Sequence, residues 1–123
     1  MCSPKTMLIV DDNLVNQEIY REILGDEYVL VMAGDGEEAI RLATCDRPHV
    51  VLLDVMLPGL DGYEICRRMR KLPEMRGARI IMVSAKAMPS ERASGMAAGA
   101  DAYITKPFTE SDLLAAIQAV QLT

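Results

Sequence analysis

The 123-residue chain has no tryptophan, a single phenylalanine, a single histidine and only three cysteines. Cys2, Cys45 and Cys66 are odd in number and widely spaced, with no C-x-x-C pair. Neither a disulfide framework nor a zinc site is indicated, and a reducing compartment is the default. Long apolar runs are missing as well. The longest early run, residues 7–10, is too short for a signal peptide or a membrane span, which points to a cytoplasmic protein with no membrane partner. Positive charge is scarce: the net charge is −5. The densest basic stretch, Arg67-Arg68-Met69-Arg70-Lys71, reads as the wet face of a helix, so nucleic-acid binding by this domain is not expected. No repeat, low-complexity stretch or linker is visible, and the length suits one domain. Nine methionines fit a core that uses Met to fill gaps.

What is present is an alternation of two patterns. Short apolar runs at residues 7–10, 28–32, 50–53, 80–83 and 102–105 have strand length and no polar alternation, as in strands buried on both faces. Segments with helical spacing lie between them. Val15, Ile19 and Ile23 share a face of the first, which stops at Gly25. Ile40 and Ala43 mark the second, which opens on acids at residues 35–38. Ile65, Met69 and Leu72 mark the third, halted by Pro73. The fourth, about residues 89–98, is rich in Ala, Ser and Gly and should pack loosely, with Met96 its one large apolar residue. Leu113, Ile117 and Val120 mark the last, where Thr109 and Asp112 imitate a capping box. The expectation is an α/β fold, a flavodoxin-like (βα)5 doubly wound parallel sheet with strand order 2-1-3-4-5.

In such sheets ligands sit at the carboxyl ends of the strands. Asp11 and Asp12 follow the first run, Asp54 the third, Ser84 the fourth, and Lys106 with Pro107 the fifth. Each has a bland reading: Asp11 and Asp12 as a helix cap, Asp54 as turn chemistry before Pro58 and Gly59, Lys106 as a solvated loop charge. Their coincidence on one rim favours a site. Three converging carboxylates repel one another and need a cation. Mg²⁺ suits, because it takes oxygen ligands and commonly bridges carboxylates to phosphate. Lys106 and Ser84 would meet anionic oxygens, and Asp54 is the natural nucleophile for a phosphoryl group.

The segments LIVDDN (residues 8–13), LLDVMLPGLDGYE (52–64), IIMVSAK (80–86) and GADAYITKPF (99–108) resemble the receiver domains of two-component response regulators over essentially the whole chain. The resemblance implies that Asp54 is the phosphoacceptor. It implies that Asp11, Asp12, the Asp54 side chain and the Met56 backbone carbonyl hold Mg²⁺, with Mn²⁺ as an alternative. Ser84 would be the switch hydroxyl, Lys106 the partner of the phosphoryl oxygens, the Lys106–Pro107 peptide cis, and Tyr103 the aromatic whose rotamer follows Ser84. The implied partners are a sensor or hybrid histidine kinase, or a histidine phosphotransfer protein, together with an output domain or downstream protein. The resemblance leaves open a phosphorylation-dependent homodimer as a further mode of output. The domain would catalyse its own phosphorylation and a slow dephosphorylation, but act primarily as a signalling switch. Met56 and Lys86, which are neither acids nor amides, would keep the hydrolysis slow. Residues 1–123 read as a single receiver domain with no output domain in this chain.

Three rivals are weaker. A haloacid-dehalogenase-type phosphatase needs a second Asp where Met56 stands. A flavodoxin needs a Ser- and Thr-rich phosphate loop where DDNLVN is acidic. A phosphorylation-independent pseudo-receiver, an interaction module, would usually lack one of the site residues. His49 precedes the third strand at the far end from the rim, and Cys66 reads as buried. Asn13, Asn16 and Gln17 read equally as a kinase contact or a solvated face. The DDNLVNQ wording is most similar to receivers attached to hybrid kinases or cyclases.

Overall fold

The chain is described by a computed structural model that covers residues 5–55, 61–85 and 88–121. Five strands alternate with five helices: β1 (Lys5–Val10), α1 (Leu14–Leu24), β2 (Tyr28–Ala33), α2 (Gly36–Asp46), β3 (Val50–Asp54), α3 (Gly62–Arg70), β4 (Arg79–Ser84), α4 (Pro89–Ala98), β5 (Ala102–Thr105) and α5 (Glu110–Gln121). All strand pairs are parallel, in the order β2-β1-β3-β4-β5.

The side-chain period of two explains the layering. Met7, Ile9, Val50, Leu52 and Ile81 face one side, against Tyr20 and Leu24 of α1 and Leu113, Ile117 and Val120 of α5. Leu8, Val10, Val51, Leu53, Ile80 and Met82 face the other, against Ala39 and Ala43 of α2, Ile65 and Met69 of α3 and Ala98 of α4. Each fully buried Leu or Ile, such as Leu52 and Ile81, contributes about 1.5–3 kcal/mol. The central strands are buried on both faces as the apolar runs require; β2, at the edge, is only partly covered.

Local signals set the helix starts. Asn13, Asp35 and Asp61 cap α1, α2 and α3 by accepting N–H bonds from residues three places on. At α5 the Thr109 Oγ1 accepts from Asp112 N and Asp112 Oδ2 accepts from Thr109 N, both at 3.0 Å, a full reciprocal box with Asp in place of Glu. Only α4 opens without a side-chain cap among these helices, at Met88, with Pro89 in its first turn.

Two helix faces differ from expectation. In α1 the stripe of Val15 and Ile19 points outward, at 68% and 43% exposure, and Tyr20 and Leu24 are buried instead. Polar ties rotate the helix: Asn16 and Gln17 bond to Asp11, and the Tyr20 ring stacks on Phe108 at 6.3 Å. In α4 Met96 is exposed, and Gly95 and Ala98 make the contact. A Cβ on Gly95 would lie 2.8 Å from Met82 Sδ and 2.9 Å from the Tyr103 ring, so glycine lets the helix approach closely.

Away from the rim, Asp101 ties three elements together. Its Oδ2 accepts the Ile80 N–H at 2.9 Å and a bond from the Arg70 guanidinium, and its Oδ1 lies 3.7 Å from Arg79. Arg70 also donates to the Gly99 and Ala78 carbonyls, each at 2.7 Å. Asp101→Ala strands these donors, and urea unfolding should show a loss of about 2–3 kcal/mol with an unchanged m-value. A loss below about 0.5 kcal/mol, the level of an ordinary surface change, would mean that water replaces the carboxylate freely.

Candidate functional site

The parallel sheet brings the expected residues to one rim. Asp11 and Asp12 leave β1, Asp54 and Ser84 are the last residues of β3 and β4, and Lys106 follows β5. Backbone bonds fix these ends: Asp11 N to Ala33 O at 3.0 Å, Val55 N to Val83 O at 3.1 Å and Lys106 N to Ser84 O at 2.8 Å. Behind Asp54, Gly62 N donates to Val55 O at 2.9 Å. A Cβ on Gly62 would lie 2.5 Å from Val55 Cα, so glycine is required where the chain returns under the site. The Lys106–Pro107 peptide is cis.

The geometry is that of a charged cluster set into an apolar sheet. Asp11 is 1% exposed and Asp54 8%, Ser84 is fully buried, and Asp12 is open to solvent. Asp11, Asp12 and Asp54 each present a carboxylate oxygen, and these three oxygens lie within 4.8 Å of one another. Lys106 Nζ lies 3.4 Å from Asp54 Oδ2 and 3.9 Å from Asp11 Oδ2. Three carboxylates against this ammonium leave the cluster negative.

The donor set fits Mg²⁺. All the ligands are oxygens, and oxygens on opposite sides of an ion with bonds of about 2.1 Å stand about 4.2 Å apart. The observed spread needs only a small closure or a bridging water. Met56, whose carbonyl was expected to join them, lies outside the described residues, as do Pro58, Gly59 and Lys86.

Tyr20, Tyr63 and Glu91 were not singled out in the sequence. Tyr20 packs beneath the cluster, and its phenol is pushed well above the usual range, by burial first and then by the charges of Asp11 and Asp54. Beside it a groove of about 470 Å³ is lined by Asn16, Ile19, Tyr20, Lys106, Pro107 and Phe108. The i, i+4 spacing of Asn16 and Tyr20 behind Asp12 was the available signal. On the other flank Tyr103 is buried, with the Arg92 guanidinium 5.6 Å from its ring centre. The Tyr63 hydroxyl donates to Glu91 Oε2 at 2.8 Å and so links α3 to α4. Its phenol is raised by partial burial, then by hydrogen bonding with Glu91 and Tyr103. His49 is at the opposite pole, where its Nδ1 accepts the Thr6 N–H at 3.1 Å, and Cys66 is buried, its thiol pushed up to about 11 by desolvation.

Residues 7–118 match the family model of the response regulator receiver domain. The chain is 41% identical over 118 residues to the response regulator MprA of Mycolicibacterium vanbaalenii, covering 95% of this chain and 50% of that protein. It thus spans about half the length of the curated relatives it matches. Among solved structures it resembles the Vibrio cholerae chemotaxis protein CheY4, with a TM-score of 0.90, 29% identity and coverage of 96% and 99% of the two chains. It also resembles the receiver domain of the Pseudomonas aeruginosa sensor histidine kinase PA1611, solved with a magnesium ion in its active-site cleft. That match has a TM-score of 0.88, 32% identity and coverage of 98% and 100%.

If the three rim oxygens hold the ion, a Mg²⁺ titration should move the amide resonances of Asp11, Asp12, Asp54 and Val55 saturably. Asp12→Asn removes one anionic ligand and should raise the Mg²⁺ Kd at least about tenfold. An unchanged Kd in that variant would place the ion elsewhere.

Proposed function

The chain belongs to the response regulator receiver family, and from that premise we propose that it accepts a phosphoryl group on Asp54 from the phosphohistidine of a sensor or hybrid histidine kinase, or of a histidine phosphotransfer protein. The observation that carries this reading is the rim itself: a nearly buried Asp54 with Lys106 Nζ at 3.4 Å and the two acids of β1 beside it.

An Asp54 carboxylate oxygen attacks phosphorus. The P–N bond to the donor imidazole breaks, its electron pair stays on the nitrogen, and an acyl phosphate forms. Lys106 turns from Asp54 Oδ2 to a phosphoryl oxygen. The Ser84 hydroxyl donates to another. Asp11, Asp12 and Asp54 would hold a Mg²⁺ or Mn²⁺ ion, which would supply positive charge to the phosphoryl oxygens. The site works without a general base, because a carboxylate nucleophile carries no proton to remove.

The donor's approach runs over α1. Leu14 and Val15 are 74% and 68% exposed, next in sequence to Asn16 of the groove that contains Lys106, and exposed apolar side chains among polar ones favour a protein contact. A donor helix laid across α1 brings its imidazole over Asp54.

The output surface is α4, β5 and α5, where Met88 and Met96 are exposed. Drawing Ser84 toward a phosphoryl group favours the inward Tyr103, the position the ring has in the structure, and α4 follows through Arg92 and Glu91. That surface controls an output domain, a downstream protein or a second copy. The proposed kinase partner implies action in the cytoplasm. Separately, no described helix is long and apolar enough to cross a membrane. Self-dephosphorylation is slow, which rests on the residue types Met56 and Lys86 alone.

Intact mass after incubation with acetyl phosphate should show one phosphoryl adduct that requires Mg²⁺ and is absent from Asp54→Asn. Leu14→Ser with Val15→Ser should leave that adduct unchanged and slow transfer from a phosphorylated histidine protein on the order of tenfold. No adduct with any donor would make the domain a phosphorylation-independent module.

A further inference from the structure

The first turn of α1 folds back onto Asp11. Asn13 N donates to Asp11 Oδ1 at 2.9 Å, Asn16 Nδ2 to Asp11 Oδ2 at 3.1 Å and Gln17 Nε2 to the Asp11 carbonyl at 2.6 Å. A carboxylate only accepts, so the atom that Asn16 presents to it is its NH₂. Asn13 in turn caps the turn by accepting the Asn16 N–H at 3.0 Å, which fixes where the Asn16 side chain starts. Asn16 and Gln17 are half-buried, unlike the exposed residues on either side of them.

The same Asp11 oxygen that Asn16 holds also faces Lys106. The ammonium stands 3.9 Å away, beyond hydrogen-bond range, yet it reaches Asp54 at 3.4 Å. Asp11 is nearly excluded from water, so a small rotation of its carboxylate toward Lys106 would form a close, charge-assisted pair. That pair would tie up an oxygen of the cation cluster and the ammonium together.

We propose that Asn16 is a positioning residue. Its amide pins Asp11 Oδ2 away from Lys106, keeping Asp11 for the divalent cation and Lys106 for Asp54 and its phosphoryl group. This rests on the reading of the rim as a Mg²⁺ site. Groups that orient a metal ligand typically change affinity by about 10–100-fold when removed.

Mg²⁺ binding, read from amide shifts in the folded domain, tests this without any phosphodonor. Asn16→Leu, or Asn16→Ala if the larger side chain lowers the melting temperature, should raise the Mg²⁺ Kd about tenfold or more. Asn16→Gln, which keeps an amide donor, should recover most of that loss, and the exposed change Glu22→Gln on the same helix should do nothing. In a Lys106→Met background the competing ammonium is gone, and removing the Asn16 amide should cost less than about threefold, a coupling that a general structural defect would not produce. A wild-type Kd in both Asn16→Leu and Asn16→Ala overturns this inference alone, and slowed transfer from a histidine protein without it would make Asn16 a docking contact. An undiminished loss in the Lys106→Met background overturns the competition. Absence of saturable Mg²⁺ binding by the wild type overturns the rim reading itself.

Discussion

Like charges held close together repel one another, and the rim of this sheet holds three carboxylates whose oxygens lie within 4.8 Å of one another. The rest of the design answers that repulsion. Parallel strands with apolar side chains on both faces make a stiff floor, and each of the two buried acids is anchored at the point where a strand leaves it. Lys106 bonds Asp54 at 3.4 Å and stands 3.9 Å from Asp11, and a divalent ion suits the gap that remains. A phosphoryl group on Asp54, as proposed, would change the charge balance of the cluster, and any element bonded to the rim would be exposed to the change.

In the proposed switch α4 is the responding element, and it is built differently from its neighbours. It lacks a side-chain cap, touches the sheet through Gly95 and Ala98 and leaves Met96 in solvent. Its ties are the Tyr63–Glu91 bond and the Arg92 guanidinium over Tyr103. Few apolar contacts and a few polar ones give an element that can shift at small cost, while α1 and α5 stay bound to their side of the sheet by large buried side chains. The proposed switch would be a change in population between two packings of one fold.

The strand ends were legible because apolar runs buried on both faces stop abruptly at a charged or polar residue, and parallel topology sends all of those residues to one edge. Asp11, Asp12, Asp54, Ser84 and Lys106 could therefore be assembled from one-dimensional pattern. The orientation of α1 could not. Its sequence offers two apolar stripes, Val15 with Ile19 and Tyr20 with Leu24, and periodicity has no means of choosing between them. The choice is made by Asn16 and Gln17 reaching back to Asp11 and by Tyr20 stacking on Phe108, contacts that exist only once the chain has folded. Tyr63 and Glu91 were invisible for the same reason: they are 28 residues apart, and nothing in either neighbourhood announces the other.

Beryllofluoride mimics a phosphoryl group on a carboxylate. The most direct measurement is the backbone amide spectrum of the Mg²⁺-loaded domain before and after it is added. Coupling of the rim to α4 predicts shifts at Asp54, Ser84 and Lys106 together with shifts through Gly95, Met96 and Tyr103. Shifts confined to the residues around Asp54 and Lys106, with α4 and β5 unmoved, would contradict it.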